Sequence, residues 1–328
     1  MATLDRRLLN GEVTTTFTDA YNRNLPFRDF AIDVWGTLSF VLFGEGRKGV
    51  LVGTDGWLYT SEEFERYAGG DAALERKLKF IAEVRSVLQA RGVTLSIALV
   101  PAKARIYPEH LGRYELPHTH QNSYQDRLNQ LRELGVIVPD LQGVLDAAKS
   151  VAPVFLKTDT HWTPYGSRRV AKALADAIHS TGLPIPDTEF TERQATPVTH
   201  RGDLLRFVRL GKLVEWAEPR PDTLVPLEAR PVNSGVGEDL FGEDVIPVVL
   251  AGTSYSANSL WSFESALKLE LGADVMNVAD EGLGPIEPMV AYLRSEAFTE
   301  SPPKLVVWEI PERFMAKPYP EKIFDISL

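Results

Sequence analysis

Asp159 and His161 stand two residues apart in Lys157-Thr158-Asp159-Thr160-His161-Trp162-Thr163-Pro164-Tyr165-Gly166, just after an apolar run from Val151 to Leu156. The run reads as a buried strand, and in extended backbone residues i and i+2 point the same way. The carboxylate then reaches the imidazole, fixes its tautomer and stabilises the imidazolium once it has taken a proton. That is the acid–base half of a catalytic triad. By itself, Asp-x-His is equally the pattern of a hydrogen-bonded structural histidine. Trp162, Thr163, Pro164 and Gly166 describe a sharply turned, packed segment, and the proline biases Thr163 away from helix. Helical periodicity resumes at Ser167. The pair is therefore expected at a strand-to-helix junction on the C-terminal edge of a parallel sheet, where open α/β folds bind their ligands.

A nucleophile for that base comes from Gly252-Thr253-Ser254-Tyr255-Ser256, which follows a strongly apolar strand over residues 245–251. Small residues permit a tight turn there that lifts the Ser254 hydroxyl above the sheet edge. Position 256 is Ser rather than Gly, so the segment does not fit Gly-x-Ser-x-Gly. With both halves on one edge, His161 deprotonates Ser254, Asp159 orients His161, and backbone N–H groups near Ser254 hold the oxyanion.

The elements that must position these residues are legible from periodicity. Residues 1–45 read as helical, interrupted at Pro26. Residues 49–59 read as a β-hairpin around Thr-Asp-Gly, with Trp57 as a buried turn anchor in preference to a sugar platform. A helix over 71–91, capped by Gly92, leads to a buried strand over 93–100. Lys103 and Arg105 stand just beyond that strand, either facing the site or lying idle on an exposed loop. A helix over 123–134, a strand over 135–141, a helix over 145–150, a strand over 154–156 and a helix over 167–181 follow. Proline, glycine and mixed charge over about 184–244 read as a β-rich insertion. Regular alternation then returns, with a helix over 262–272, a strand over 274–278, a helix over 287–295 and a last strand over 304–310. Such alternation predicts an α/β fold whose central, mostly parallel sheet is covered on both faces.

Composition excludes several functions. A net charge of −10 over 328 residues argues against a nucleic-acid surface. With no cysteine there is no disulfide, thiol nucleophile or thiolate-bound metal. No apolar stretch is long enough to span a membrane, and the first residues lack the apolar core of a signal peptide. His118 and His120, with Asp159 and His161, supply enough ligands for zinc. They lie in a polar loop without apolar framing, however, so surface residues are the preferred account and no metal is assigned.

Asp-Thr-His-Trp-Thr-Pro at 159–164 and Gly-Thr-Ser-Tyr-Ser at 252–256 resemble the two signature segments of the alginate O-acetyltransferase AlgJ/AlgX-like family. Val-Gly-Thr-Asp-Gly-Trp-Leu-Tyr at 52–59, Val-Pro-Ala-Lys-Ala-Arg at 100–105 and Trp-Glu-Ile-Pro-Glu-Arg-Phe at 308–314 support the likeness, which covers nearly the whole chain. The resemblance implies one SGNH-hydrolase-like domain over 1–328, a three-layer α/β/α fold with a permuted site order, since the acid and base precede the serine. It implies an acetyl-accepting Ser254, the base His161 and its partner Asp159. Substrate and oxyanion candidates nearby are Lys103, Arg105, Trp162, Tyr255, Asn258 and Arg313. The chain ends soon after Arg313, without room for the carbohydrate-binding module of AlgX-like members, so the AlgJ-like branch is the nearer likeness.

The activity implied is transfer of acetyl groups onto hydroxyls of a bacterial exopolysaccharide such as alginate, with no cofactor. A membrane acyl-transfer protein is the expected source of acetyl. The setting implied is the periplasm, with a membrane anchor removed from the chain in hand. An acetylesterase shares the same intermediate. A polysaccharide-binding scaffold with a vestigial site, stacking sugars on Trp57, Trp162, Trp216 and Trp261, is the reading from another class.

Overall fold

A computed structural model describes residues 48–208, 219–232 and 246–326. The expected N-terminal helix over 1–45 and Trp216 lie outside the described residues. The hairpin forms as expected from β1 (Val50–Val52) and β2 (Leu58–Thr60), paired antiparallel. Asp55 and Gly56 both take positive φ, 54° and 80°, the twist that matches a hairpin's strands.

Helix α1 (Gly70–Gln89) packs Phe80, Ile81, Val84 and Leu88 inward. Strand β3 (Thr94–Val100) follows, then the one-turn helix α2 (Lys103–Ile106). Helices α3 (Ser123–Glu133), α4 (Leu141–Ala148) and α5 (Pro164–His179) come next. In the segment expected to be β-rich, β4 (Phe190–Gln194) pairs with β7 (Leu227–Pro231), and β5 (Val198–His200) with β6 (Asp222–Leu224). The chain re-enters the core at β8 (Val248–Ala251), followed by α6 (Ser254–Ala257), α7 (Phe263–Leu271) and β9 (Val275–Asn277). Helices α8 (Ile286–Leu293) and α9 (Glu296–Glu300), strand β10 (Leu305–Pro311) and the short α10 (Glu312–Met315) complete it.

The central sheet runs β3-β10-β8-β9, all parallel. Its period-two alternation splits the apolar side chains cleanly between two layers. Val248, Leu250, Leu305 and Val307 face α4, α5 and α7. Val249, Ala251, Val306, Trp308 and Ile310 face α1, α3 and α8. This is the three-layer α/β/α arrangement expected.

Two expected strands are corrected. Residues 135–141 contribute only a bridge from Ile137 to Ser96, because the Asp140 carboxylate accepts from Gly143 N and starts α4 at Leu141. Residues 151–156 form no sheet strand either. Val151 is 76% exposed, and the buried Val154, Phe155 and Leu156 belong to a loop folded back on itself. Leu156 N donates to His161 O at 3.1 Å and Thr163 N to Val154 O at 3.0 Å, closing a narrow antiparallel loop around Asp159. A run of three apolar residues cannot distinguish a sheet strand from a buried loop, since both are dry. At the loop's exit Thr163 is extended, its hydroxyl caps Gly166 N, and Pro164 opens α5.

Two outcomes follow from this packing. A Cβ at Gly166 would lie 2.1 Å from the Val154 carbonyl oxygen, so Gly166→Ala forces α5 away from the loop. Overpacking of this kind costs about 1–3 kcal/mol, read as a lower midpoint in urea unfolding. Behind β10, the buried Glu312 carboxylate binds Arg105 at 2.6 Å, Arg127 at 3.3 Å, Ser123 Oγ at 2.9 Å and Ala102 N at 3.1 Å. Burial alone would raise its pKa, but Arg105 and Arg127 hold it below the ordinary 4.5. Its contribution is therefore complete above about pH 4.5 and lost as pH falls through the depressed folded value. Glu312→Gln is expected to lower the thermal midpoint at pH 7 and to flatten its decline below pH 4.5, measured by circular dichroism.

Candidate active site

The Asp159 carboxylate accepts four hydrogen bonds. Its Oδ1 takes His161 Nδ1–H at 2.6 Å and the His161 backbone N–H at 2.9 Å. Its Oδ2 takes His200 Nε2–H at 2.7 Å and the Asp203 backbone N–H at 2.9 Å. The same-side geometry thus comes from a side-chain-to-backbone turn across Thr160, rather than from the pleat of a strand. Burial of Asp159 would by itself raise its pKa, and the hydrogen bonds from His161 and His200 reverse that and hold it far below the ordinary range. As an ionised carboxylate only accepts, the proton of His161 is on Nδ1. In the neutral ring Nε2 then carries the lone pair, and it faces Ser254 Oγ at 2.7 Å. The 161 and 200 imidazoles both lean on Trp261, the first stacked at 4.9 Å and the second edge-on at 5.2 Å.

Ser254 is mounted on a strand-to-helix turn. Thr253 is extended and caps α6, placing Ser254 at its first position. The wholly buried Glu309, from the neighbouring β10, accepts from Thr253 N at 2.7 Å, from Thr253 Oγ1 at 2.9 Å and from Ser256 Oγ at 3.1 Å. Burial pushes its pKa up. A Cβ at 252 would meet Glu309 Oε2 at 2.6 Å, which is why glycine precedes the turn. The two halves are then clamped together. Trp162 Nε1–H donates to Tyr255 O at 3.1 Å and Tyr255 OH to Thr160 O at 2.7 Å, while within the serine's own segment Trp261 Nε1–H donates to Ser254 O at 3.0 Å.

Ser254 and His161 open onto a cavity of about 600 Å³, also lined by Thr160, Asp203, Arg206, Phe207, Leu283, Arg313 and Lys317. Of the other residues expected near the substrate, Arg313 lines this cavity, with its Nε on Glu62 at 3.2 Å and Nη1 on Tyr255 OH at 3.3 Å. The rest hold buried or capping positions. Lys103, 1% exposed, spends its three ammonium protons on the carbonyls of Leu58, Lys157 and Asp159, at 2.7, 2.9 and 2.9 Å. Burial pulls its pKa below the ordinary lysine range, against the pull of Glu63. Arg105 is committed to Glu312. Trp162 and Tyr255 are buried, with their polar atoms used in the clamp, and Asn258 Oδ1 caps Leu260 N. Trp57 is the buried anchor expected, 4.1 Å from Tyr107 and stacked on His110 at 4.9 Å.

The zinc reading of His118 and His120 finds no support in geometry. His120 Nδ1 lies 3.2 Å from Glu63 O and His118 Nδ1 3.1 Å from Gln121 Nε2. Among the described residues the group with ligand-like spacing is Asp159, His161 and Asp203. Its oxygens are already engaged, Asp159 as above and Asp203 by Thr160 N and Oγ1 at 2.9 Å each.

Sequence reasoning missed His200, Asp203 and Glu309. Each lies far along the chain from the residue it supports, and none has a local pattern. Glu309, the charged residue inside an otherwise apolar last strand, was the one available signal.

Comparison with known proteins gives a consistent picture. The family model "SGNH hydrolase-like domain, acetyltransferase AlgX" matches residues 50–312. The "Probable alginate O-acetylase AlgJ" of Pseudomonas aeruginosa is 44% identical over 96% of this chain and 82% of its own length. That of Azotobacter vinelandii is 40% identical over 97% and 83%. The solved "O-Acetyltransferase Domain of Pseudomonas putida AlgJ" superposes with a TM-score of 0.77 at 40% identity, covering 85% of this chain and 96% of that one. The family match, the identity over almost the full length and the superposition agree: the chain belongs to the AlgX family of SGNH hydrolase-like acetyltransferases.

Proposed function

We propose that this chain is an O-acetyltransferase that moves acetyl groups onto hydroxyls of alginate or a similar exopolysaccharide through an acetyl-Ser254 intermediate. The supporting observation is the chain of contacts from Ser254 Oγ to His161 Nε2 at 2.7 Å and from His161 Nδ1 to Asp159 at 2.6 Å, opening onto the cavity of about 600 Å³. The names of the relatives supply the class of substrate.

Ser254 Oγ attacks the acetyl carbonyl of the donor while its proton passes to His161 Nε2. The tetrahedral oxyanion collapses, the donor's leaving group departs with the proton from His161, and acetyl remains on Ser254. His161 then takes the proton of an acceptor hydroxyl, whose oxygen attacks the acetyl-serine, and returns it to Ser254 Oγ as the new ester leaves. Asp159 holds the imidazole and offsets its transient positive charge. The Ser254 N–H, first in α6 and without an intrahelical acceptor, is the backbone donor aimed at the oxyanion. Thr253 N is committed to Glu309 and does not serve. Arg313 is the cationic candidate beside it. Water in the acceptor position makes the same chain an acetylesterase. The reading extends to a periplasmic setting, a membrane acyl-transfer protein as donor and a membrane anchor, each on the family resemblance. Among the described residues no helix is long and apolar enough to cross a membrane.

Ser254→Ala is expected to abolish both acetate release from an activated ester and acetylation of oligosaccharides followed by mass spectrometry; wild-type turnover would remove Ser254 from the mechanism. A serine-reactive sulfonyl fluoride labels Ser254, and labelling is lost in His161→Ala. Asp159→Asn places a donor where the carboxylate accepted, forcing the wrong tautomer on His161. Its kcat falls on the order of 10⁴-fold with KM little changed, in steady-state assays with the same ester.

A further inference from the structure

The triad acid serves two histidines. His200, the last residue of β5, reaches Asp159 Oδ2 at 2.7 Å, on the oxygen opposite the one that holds His161. We propose that His200 is a positioning residue that locks the Asp159 carboxylate in plane with His161 and, when protonated, takes part of its charge. The inference rests on the triad reading above.

The geometry leaves His200 little other purpose. Its ring side-chain exposure is 18%, and its edge meets Trp261, the same indole on which His161 stacks. Three elements converge on the Asp159–His200 pair: the loop bearing Asp159, the short turn beginning at Asp203, and β6, whose Asp222 pairs with His200 across the ladder. The acids acting on His200 are Asp159, Asp203 and Asp222, while the Lys103 ammonium donates to the Asp159 carbonyl. A carboxylate with a hydrogen bond on one oxygen alone can rotate about χ2. Oδ2 takes two donors, the Asp203 N–H at 2.9 Å and the His200 ring at 2.7 Å; His200 is the shorter of the two and the one able to carry charge, and together they hold Oδ1 aimed at Nδ1.

The second effect is electrostatic. The hydrogen bond to Asp159 and the surrounding acids raise the pKa of His200 above 6.5. A protonated His200 shares the negative charge that would otherwise back a proton on His161. A neutral His200 with hydrogen on Nε2 keeps the hydrogen bond and releases the charge. Position and charge are thus separable by substitution. Glutamine at 200 offers an N–H toward Oδ2 without ever carrying charge, and alanine offers neither.

Steady-state hydrolysis of an activated acetyl ester, from pH 5 to 9, tests this with Ser254→Ala as reference. H200A is expected to lose about ten- to a hundredfold in kcat, the range typical when the outer partner of a functional histidine is removed at metal sites, with KM within about twofold. H200Q is expected to recover most of that kcat while the acid limb of its rate–pH profile moves to higher pH. Its thermal midpoint falls below wild type most at pH under 6.5, and the gap closes as pH rises through the elevated His200 value. Wild-type kcat in H200A, or a wild-type acid limb in H200Q, overturns the inference. If H200A does not fold, the H200Q profile decides alone. Retained turnover in Ser254→Ala would instead overturn the triad reading, so the two failures are distinct.

Discussion

Everything at this site depends on one buried anion kept ionised. Asp159 sits in a loop with its side chain out of water, where an unpaired carboxylate would take up a proton. Four N–H donors prevent this, two from His161, one from His200 and one from Asp203. Once the charge is fixed, a hydrogen sits on His161 Nδ1, the neutral ring keeps its lone pair on Nε2, and the partner of Nε2 is the Ser254 hydroxyl at 2.7 Å.

The fold's contribution is to bring that loop and the β8–α6 turn together although neither shares a strand with the other. Lys103 ties the backbone of Asp159 to the β1–β2 hairpin through three carbonyls. Glu309 ties the nucleophile turn to the sheet's inner strand. Between them, Trp162 and Tyr255 cross-link the two segments by hydrogen bonds from aromatic side chains to backbone oxygens, and Trp261, bonded to Ser254 O in its own segment, stacks on His161. The Lys103 ammonium and the Asp159 carboxylate are each met by hydrogen-bonded partners, which gives the Asp159 loop one geometry instead of several.

The parts of this legible in the sequence were those written in local pattern. The β1–β2 turn shows in Thr-Asp-Gly, the sheet strands in apolar runs, α5 in the helical periodicity from Ser167 though not in its first turn from Pro164, and the Asp159–His161 and Ser254 segments in their spacing. The illegible parts depend on contacts between distant residues. Residues 154–156 are as apolar as a strand, yet their backbone pairs within its own loop. Lys103 and Arg105 look like surface charge because composition cannot reveal a carboxylate or a ring of carbonyls folded over them. His200 is a single histidine in a polar stretch, 41 positions from the acid it binds.

The central claim is that Ser254 carries the acetyl group. The direct measurement is rapid-quench mass spectrometry of the protein mixed with an acetyl donor in the absence of acceptor. An acetyl adduct mapped to the peptide containing Ser254, present in wild type and absent from His161→Ala, is the predicted result. Acetyl transfer proceeding at full rate with no adduct at any time, or with the adduct on another residue, would contradict it.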